Sequence, residues 1–400
     1  MKPDSLNLHA LQDKSAEALA EVFGAKQPKS LLDKFSSLGL PSKKSEAYRY
    51  FDPEALLDKT YKRLAYVPRE IREGEKLEIV NGVVITAPKN LRVYYGADSQ
   101  VDSEHYDPLY FLGHILSPSV IIIEIDGDRE IELLHRYTQS DTLIHYRIVI
   151  KNQSNRHATI YESFESEGAQ GSLVLYGYDI TVAQDSTLRI IKNQTINDDA
   201  YAMIASHHVQ VEKQASIILK TFDFGNTSAI QLLKVDLGEH AHIDVGHLLY
   251  LSGKAKRGSI SQIIHKGEHS SSVQEAKNIL EGDSRGIFDA LIRVEQTAKY
   301  TKTQQNSKSI LLNEGTYMVA KPQLEIYIDE LEASHGATTG QLDKKQLFYL
   351  QSRGISQQEA KKMLIIAFAK TLIERVKDTR HQEMIQESFE RAFYGKRIDG

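Results

Sequence analysis

A serine, a histidine and an aspartate stand close together in Leu331-Glu-Ala-Ser-His-Gly-Ala-Thr-Thr-Gly-Gln-Leu-Asp343, and these are the residue types of a nucleophilic triad. Their spacing works against that chemistry. Ser334 and His335 are neighbours, so in an extended segment their side chains leave opposite faces. Ser334 is not framed by the glycines of a G-x-S-x-G elbow. His335 can instead be a lone metal ligand or a packed, hydrogen-bonded histidine, since one imidazole is no coordination sphere. Gly336 and Gly340 fit a bend between two pieces of architecture.

A second cluster is Glu239-His240-Ala-His242, with His247 close behind. His240 and His242 are two apart, which on a strand places both imidazoles on one face as a weak metal chelate; a polar strand face reads the same way. His207 and His208 are adjacent and diverge. No G-x-x-x-x-G-K-[ST] and no G-x-G-x-x-G occurs. Lys254-Ala-Lys-Arg-Gly-Ser259 reads as a solvated turn, and Glu162 and Glu165 read as surface charges. The chain has no cysteine, which excludes disulfides, thiol nucleophiles and thiolate-held clusters from what it does alone. A net charge of -5 gives no sign of nucleic acid or anionic membrane as partner. Met363–Ala369 is far too short an apolar run to cross a bilayer, and the first five residues lack the apolar stretch of an export signal. The chain reads as cytoplasmic. Residue types alone point to no catalytic residue and favour an interaction or scaffold protein.

The elements that must carry these residues fall into three segments, 1–115, 116–338 and 339–400. The first is mostly helical, with a stripe over residues 6–23, a helix over Lys29–Leu38 ended by Gly39, and a hairpin Leu77–Ile85 turning at Asn81-Gly82. From Ser117 to Tyr327 short β-branched runs alternate with turn residues and nothing reads as helix. Ala158-Thr-Ile160, Ser186-Thr-Leu188, Ala215-Ser-Ile217 and Ala241-His-Ile243 recur at 28, 29 and 26 residues. Val182, Val211 and Leu237 each stand six positions before the later three aliphatic members, and Val294 and Tyr300 repeat the spacing. Such a period in strand-rich sequence predicts the coils of a β-solenoid, with a β-sandwich as alternative. After Gly340 helices are predicted over Leu342–Ser352, from the capping box Ser356-Gln-Gln-Glu359, and over Thr379–Phe393. They would cap the open end of the solenoid.

Lys321-Pro-Gln-Leu-Glu-Ile-Tyr-Ile-Asp-Glu330, the stretch Ala333–Asp343 and Gln346-Leu-Phe-Tyr-Leu-Gln-Ser-Arg-Gly-Ile-Ser356 resemble the C-terminal signature of the SufB/SufD family, the scaffold subunits of SUF iron–sulfur cluster assembly. His265, His269-Ser-Ser-Ser272, Gly286-Ile-Phe288, Gln305 and Leu311-Leu312 add to it, as does Pro41-Ser-Lys-Lys-Ser-Glu-Ala-Tyr-Arg-Tyr-Phe51 near the start. The resemblance is thin over 60–230 and dense over 235–370. His-Gly-Ala-Thr at 335–338 and Gln-Ser-Arg-Gly-Ile at 351–355 are most similar to the SufD branch. Alignment through Pro322 and His335 puts Ile326 where SufB carries a cysteine, and Ala333 where many of the SufD branch carry one.

The resemblance implies a mainly β fold: a right-handed parallel β-helix flanked by N-terminal α/β and C-terminal α-helical regions. It implies a complex with SufB and two copies of the ATPase SufC, and no catalysis by this subunit. Leu347, Phe348, Tyr349, Arg353, Gly354, Ile355, Glu359 and Phe368 would meet SufC. Pro322, Leu324, Ile326 and Ile328 would meet SufB or a second copy of the chain. His335 would be a nitrogen ligand to a transient Fe–S cluster at the SufB interface, with no cofactor held tightly by the isolated chain. Two alternatives stand beside it: a β-helix carbohydrate-active enzyme using paired carboxylates, and a homodimer serving as a storage form.

Overall fold

The computed structural model describes residues 5–23, 28–64, 69–97, 101–117, 119–195 and 201–395. Residues 1–4, read above for an export signal, lie outside them. The chain begins β1 (Ser5–Asn7), α1 (Ala16–Phe23), α2 (Lys29–Leu38), α3 (Glu54–Leu57), β2 (Thr60–Arg63), β3 (Arg72–Glu73), β4 (Leu77–Val80), β5 (Val83–Ala87), β6 (Arg92–Gly96), α4 (Pro108–Leu116). The stripe over 6–23 is thus broken, because its first apolar residues join a short strand and a 3-10 turn. Gly39, at φ 66°, ends α2 by donating its N–H to Phe35 O. Asn81 and Gly82 turn the β4–β5 hairpin at φ 49° and 85°, as a type I′ turn demands.

After β7 (Val120–Ile125) and β8 (Arg129–Tyr137) the chain winds into a parallel β-solenoid of about seven turns. The coils are β9 (Thr142–Asn152) with β10 (His157–Ser166), β11 (Leu173–Val182) with β12 (Thr187–Gln194), β13 (Ala202–Val211) with β14 (Ser216–Asp223), and β15 (Ser228–Leu237) with β16 (His242–Leu251). Then follow β17 (Lys256–His265) with β18 (Ser271–Leu280), β19 (Arg285–Val294) with β20 (Thr301–Leu311), and β21 (Tyr317–Ile326) with β22 (Leu331–Gly340). Odd strands stack in one sheet and even strands in the other. Each residue therefore sits on its counterpart one coil earlier, and alternate residues point into the lumen. Ile131, Ile160, Ile190, Leu219 and Val245 form one such inward row.

One corner is built identically in six coils. Asn155, Asp185, Gln214, His240, His269 and Tyr300 all have φ between 55° and 61°, a region that costs non-glycine residues about 1 kcal/mol or more. Each donates its N–H to a carbonyl of the next coil, as His240 does to Glu268 O at 2.8 Å and Tyr300 to Glu330 O at 2.7 Å. The inter-coil bonds continue around the bend and offset the strain.

The repeat read from sequence needs two corrections. Ala158, not Ile160, lies under Leu188, Ile217 and Ile243. Tyr300 is a corner residue; Ser272 and then Thr303 continue the row of Ile243. Turns of unequal length displace the spacing by a few residues, which sequence comparison alone does not reveal. Val182, Val211 and Leu237 do stack, and His265 then Val294 extend their row.

The three C-terminal helices are α5 (Lys344–Ser352), α6 (Gln357–Ile373) and α7 (Thr379–Tyr394). Ser356 caps α6 through the Glu359 N–H. The last two helices pack on the flank of the even sheet: Ile365, Leu372, Ile385 and Phe389 cluster with Phe222, Leu248 and Tyr250. They do not cover the end of the solenoid as expected, because outward-facing aromatic and aliphatic side chains on that flank offer more apolar surface to bury. The N-terminal end of the solenoid is covered, with β2 pairing β9 and β4 pairing β8. At the other end β21 and β22 are terminal strands of their sheets. No helix among the described residues is long and apolar enough to cross a membrane.

Candidate functional site

His335 lies on β22, one coil beyond Gln305. Gln305 lies over Gln274, and Gln274 over Val245. The aliphatic row of the lumen thus turns into two glutamines and a histidine as it reaches the open end. The inward residues of β20, namely Thr301, Thr303, Gln305, Ser307 and Ser309, are buried, whereas β22 is exposed along nearly its whole length. The difference has a simple cause: β22 has no further coil above it. Ser334 pairs with Gln304, an outward position. Asp343 caps α5, its Oδ1 accepting from the Lys345 and Gln346 N–H groups at 2.7 and 3.4 Å. The three triad residue types do not converge.

Opposite β22, Pro322, Leu324 and Ile326 of β21 stack on Ala290, Ile292 and Val294, which are fully buried. Leu324 and Ile328 remain packed against the main core, and Ile326 is 42% exposed. The end of the solenoid therefore presents an apolar edge from one sheet and His335 from the other. Behind it, α5 has no buried residue; Phe348 and Tyr349 are 72% and 57% exposed. A cleft of about 660 Å³ between α5, α6 and the solenoid is lined by Leu342, Leu347, Phe348, Ile365 and Phe393. Arg353, Gly354 and Glu359 are exposed around it. Ile355 is half-buried, as is Phe368, whose ring carries the Lys277 ammonium at 4.5 Å.

The other candidate residues do not gather. His240 is in the corner at φ 55° and stacks on the His269 ring at 4.8 Å, while His242 begins β16 and bonds Ser271 Oγ at 2.8 Å. A turn, not a strand, separates them, so they share no face. Among the described residues no group of three or more His, Asp or Glu could hold a metal ion. His208 points outward to Asp236 at 3.3 Å; His207 points into the lumen. Arg257, expected in a solvated turn, is buried against Asp223 at 2.8 Å. Gly282-Asp-Ser-Arg-Gly286 does fit the G-x-S-x-G spacing, but it turns from one solenoid strand into another, β18 into β19, and Ser284 is buried.

Glu162, read as a surface charge, is instead the centre of a buried polar network. It accepts from Tyr178 OH at 2.6 Å and Tyr176 OH at 3.3 Å and pairs with His135 at 3.1 Å. Burial works to raise its carboxyl, yet the Lys192 charge and the His135 contact outweigh it and hold the group down at about 2. Burial lowers Lys192 itself to about 8, which leaves it mostly charged at neutral pH.

Burial pushes the imidazoles of His207, His247 and His265 down to about 3, 4 and 4 from 6.5. The unfolded chain takes these protons as pH falls below about 6.5, while the folded chain refuses them until near pH 4. Their contribution to stability is thus full above pH 6.5 and is lost as pH falls towards 4, by about 1.4 kcal/mol per unit for each histidine. Denaturant midpoints should drop steeply between pH 6.5 and 4; a flat profile there would show that these rings are hydrated.

A family model described as SUF system FeS cluster assembly, SufBD core domain, matches residues 135–368. The chain belongs to this family. It is 26% identical over 415 residues to the iron–sulfur cluster assembly protein SufD of Escherichia coli K12, covering 96% of both chains. To the SufD protein of Bacillus subtilis 168 it is 30% identical over 131 residues, 33% of this chain and 30% of that one. A SufBD family protein of Synechocystis matches at 26% over 243 residues, 58% and 53% of the two chains. The family segment spans the solenoid from β8 through β22 and ends within α6, so it contains the open end and His335.

Proposed function

We propose that this chain is a non-catalytic scaffold subunit for iron–sulfur cluster assembly. The open end of its solenoid pairs with a SufB-type sister chain, and a nascent cluster forms at that seam with His335 as one ligand. The observation that carries this reading is the position of His335: it is the last residue of an inward row, exposed where a further coil would lie. Terminal strands carry unpaired backbone donors and acceptors that invite a second chain. Pro322 lacks an N–H, which suits an edge and narrows the pairing registers that fit.

The chain has no thiol, so thiolate ligands come from the sister chain. A neutral imidazole among thiolates lowers the charge of a cluster relative to an all-thiolate set and eases its release. The exposed Phe348 and Tyr349 with their cleft supply the aromatic anchors expected of a docking surface for the SufC ATPase. Closure of an ATPase pair would lever the two solenoids as rigid bodies and open the seam.

Anaerobic reconstitution tests this. The chain alone should hold little cluster, whereas a mixture with SufB and SufC should hold one and co-elute as a complex. Phe348→Ala should release the ATPase from that complex while the sister chain stays bound. A cluster assembled as well on the chain alone would overturn the reading. The same edges also fit a second copy of the chain, and a homodimer storage form would appear on sizing without partners and vanish when they are added.

A further inference from the structure

The lumen holds a cavity of about 80 Å³ walled by Ile190, Leu219, Val245 and Phe288. It is several times the roughly 10–15 Å³ that one water needs. Three nitrogens of cavity-lining side chains have no hydrogen-bond partner: His247 Nε2, Gln231 Nε2 and Gln274 Nε2. His247 and Gln274 are 4% and 1% exposed. Buried polar groups left so are costly and rare.

Both glutamine nitrogens are donors. Ser259 Oγ stands 3.4 Å from His247 Nδ1; with the serine O–H donating to Nδ1, the ring proton sits on Nε2. Ser261 donates to Gln274 Oε1 at 3.0 Å, leaving the amide N–H₂ for the cavity. Gln231 and His247 belong to one coil and Gln274 to the next. Lys192 lies two coils away in the same inward row as His247, with Thr221 between them. Glu162 lies one coil beyond Lys192, and its charge is taken up by the tyrosines and His135 described above.

We propose that this lumen cavity is a binding site for a small, weakly hydrated monoanion, a halide or hydrosulfide. Neutral donors set among apolar walls suit an ion that loses little on leaving water, whereas phosphate or a carboxylate would need stronger hydration to be replaced. A cation finds no unpartnered acceptor among the three groups.

The site requires no sister chain and stands apart from the role given to His335. Crystals of the full chain soaked in sodium bromide should show an anomalous peak between His247, Gln231 and Gln274. A peak lost on adding sodium hydrosulfide makes hydrosulfide the preferred occupant of the same donors, and a peak retained makes it a halide; either outcome supports the site. Waters in the cavity that bromide never replaces would overturn it. In solution His247→Leu should weaken bromide binding about tenfold, the loss expected for one hydrogen bond to a charge. Gln274→Leu serves the same end if the histidine variant does not fold, and bromide affinity unchanged in a folded variant also overturns the proposal.

Discussion

His335→Ala is expected to leave the chain folded and bound to its partners while cluster formation falls by about tenfold or more. Its side chain is exposed on the terminal strand, and the stacking of β22 on β20 runs through backbone pairing over ten residues. Exposed substitutions of this kind shift stability by about 0.5 kcal/mol or less. Loss of a ligand has a different scale, since even residues that merely orient ligands change metal affinity by about 10–100-fold. The measurement is reconstitution of the three-component mixture, with sizing run on the same samples. Normal cluster yield in the variant would remove His335 from the seam; a complex that falls apart would make it a packing residue. His335→Cys offers a thiolate at the same point and should restore formation with a more tightly held product.

Arg147→Met should cost about 3–5 kcal/mol, the usual result of removing one partner of a buried ion pair. Arg147 is 1% exposed. Its Nη2 and Nε reach Asp179 Oδ2 at 2.6 and 3.2 Å, and its Nη1 donates to Ser206 O at 2.7 Å. The guanidinium carbon lies 4.6 Å from the Tyr110 ring centroid, and Tyr110 OH donates to Asp179 Oδ1 at 2.5 Å. Burial would raise the Asp179 carboxyl, but Arg147 and His114 hold it well below its usual value. The network ties α4 to the outer face of the odd sheet. Gly177 makes room for it: a Cβ there would collide with Ser206 O and the Arg147 guanidinium. Without the guanidinium the carboxylate is stranded in the interior, and α4 with the N-terminal helices should loosen first. Denaturant unfolding with limited proteolysis of the N-terminal region reads this out. Lysine should not rescue it, because a point charge cannot make the forked contacts. A loss under about 1 kcal/mol would mean that water reaches the pair.

Several features were legible because their causes are local. The Asn81-Gly82 turn, the Gly39 stop and the Ser356 cap each depend on a few adjacent residues, and each forms as expected. The repeat revealed the solenoid, because every coil must offer apolar residues to the one before it. The helix α4 was missed: all nine of its residues are buried, so no polar stripe marks the helical period. The rows were displaced at Ala158 and Tyr300 because turn lengths vary between coils.

By itself, then, the sequence determined an assembly of stacked strands without thiols, with one histidine near the end of the last coil. Tertiary structure decided which residues stand above one another, since a row is made from positions about thirty apart joined by turns of unequal length. It set Glu162, Lys192 and His247 in one line inside the lumen. It also laid the C-terminal helices along the flank, leaving His335 at an uncovered end. Those outcomes rest on competition among distant apolar surfaces for burial, which no short stretch of residues encodes.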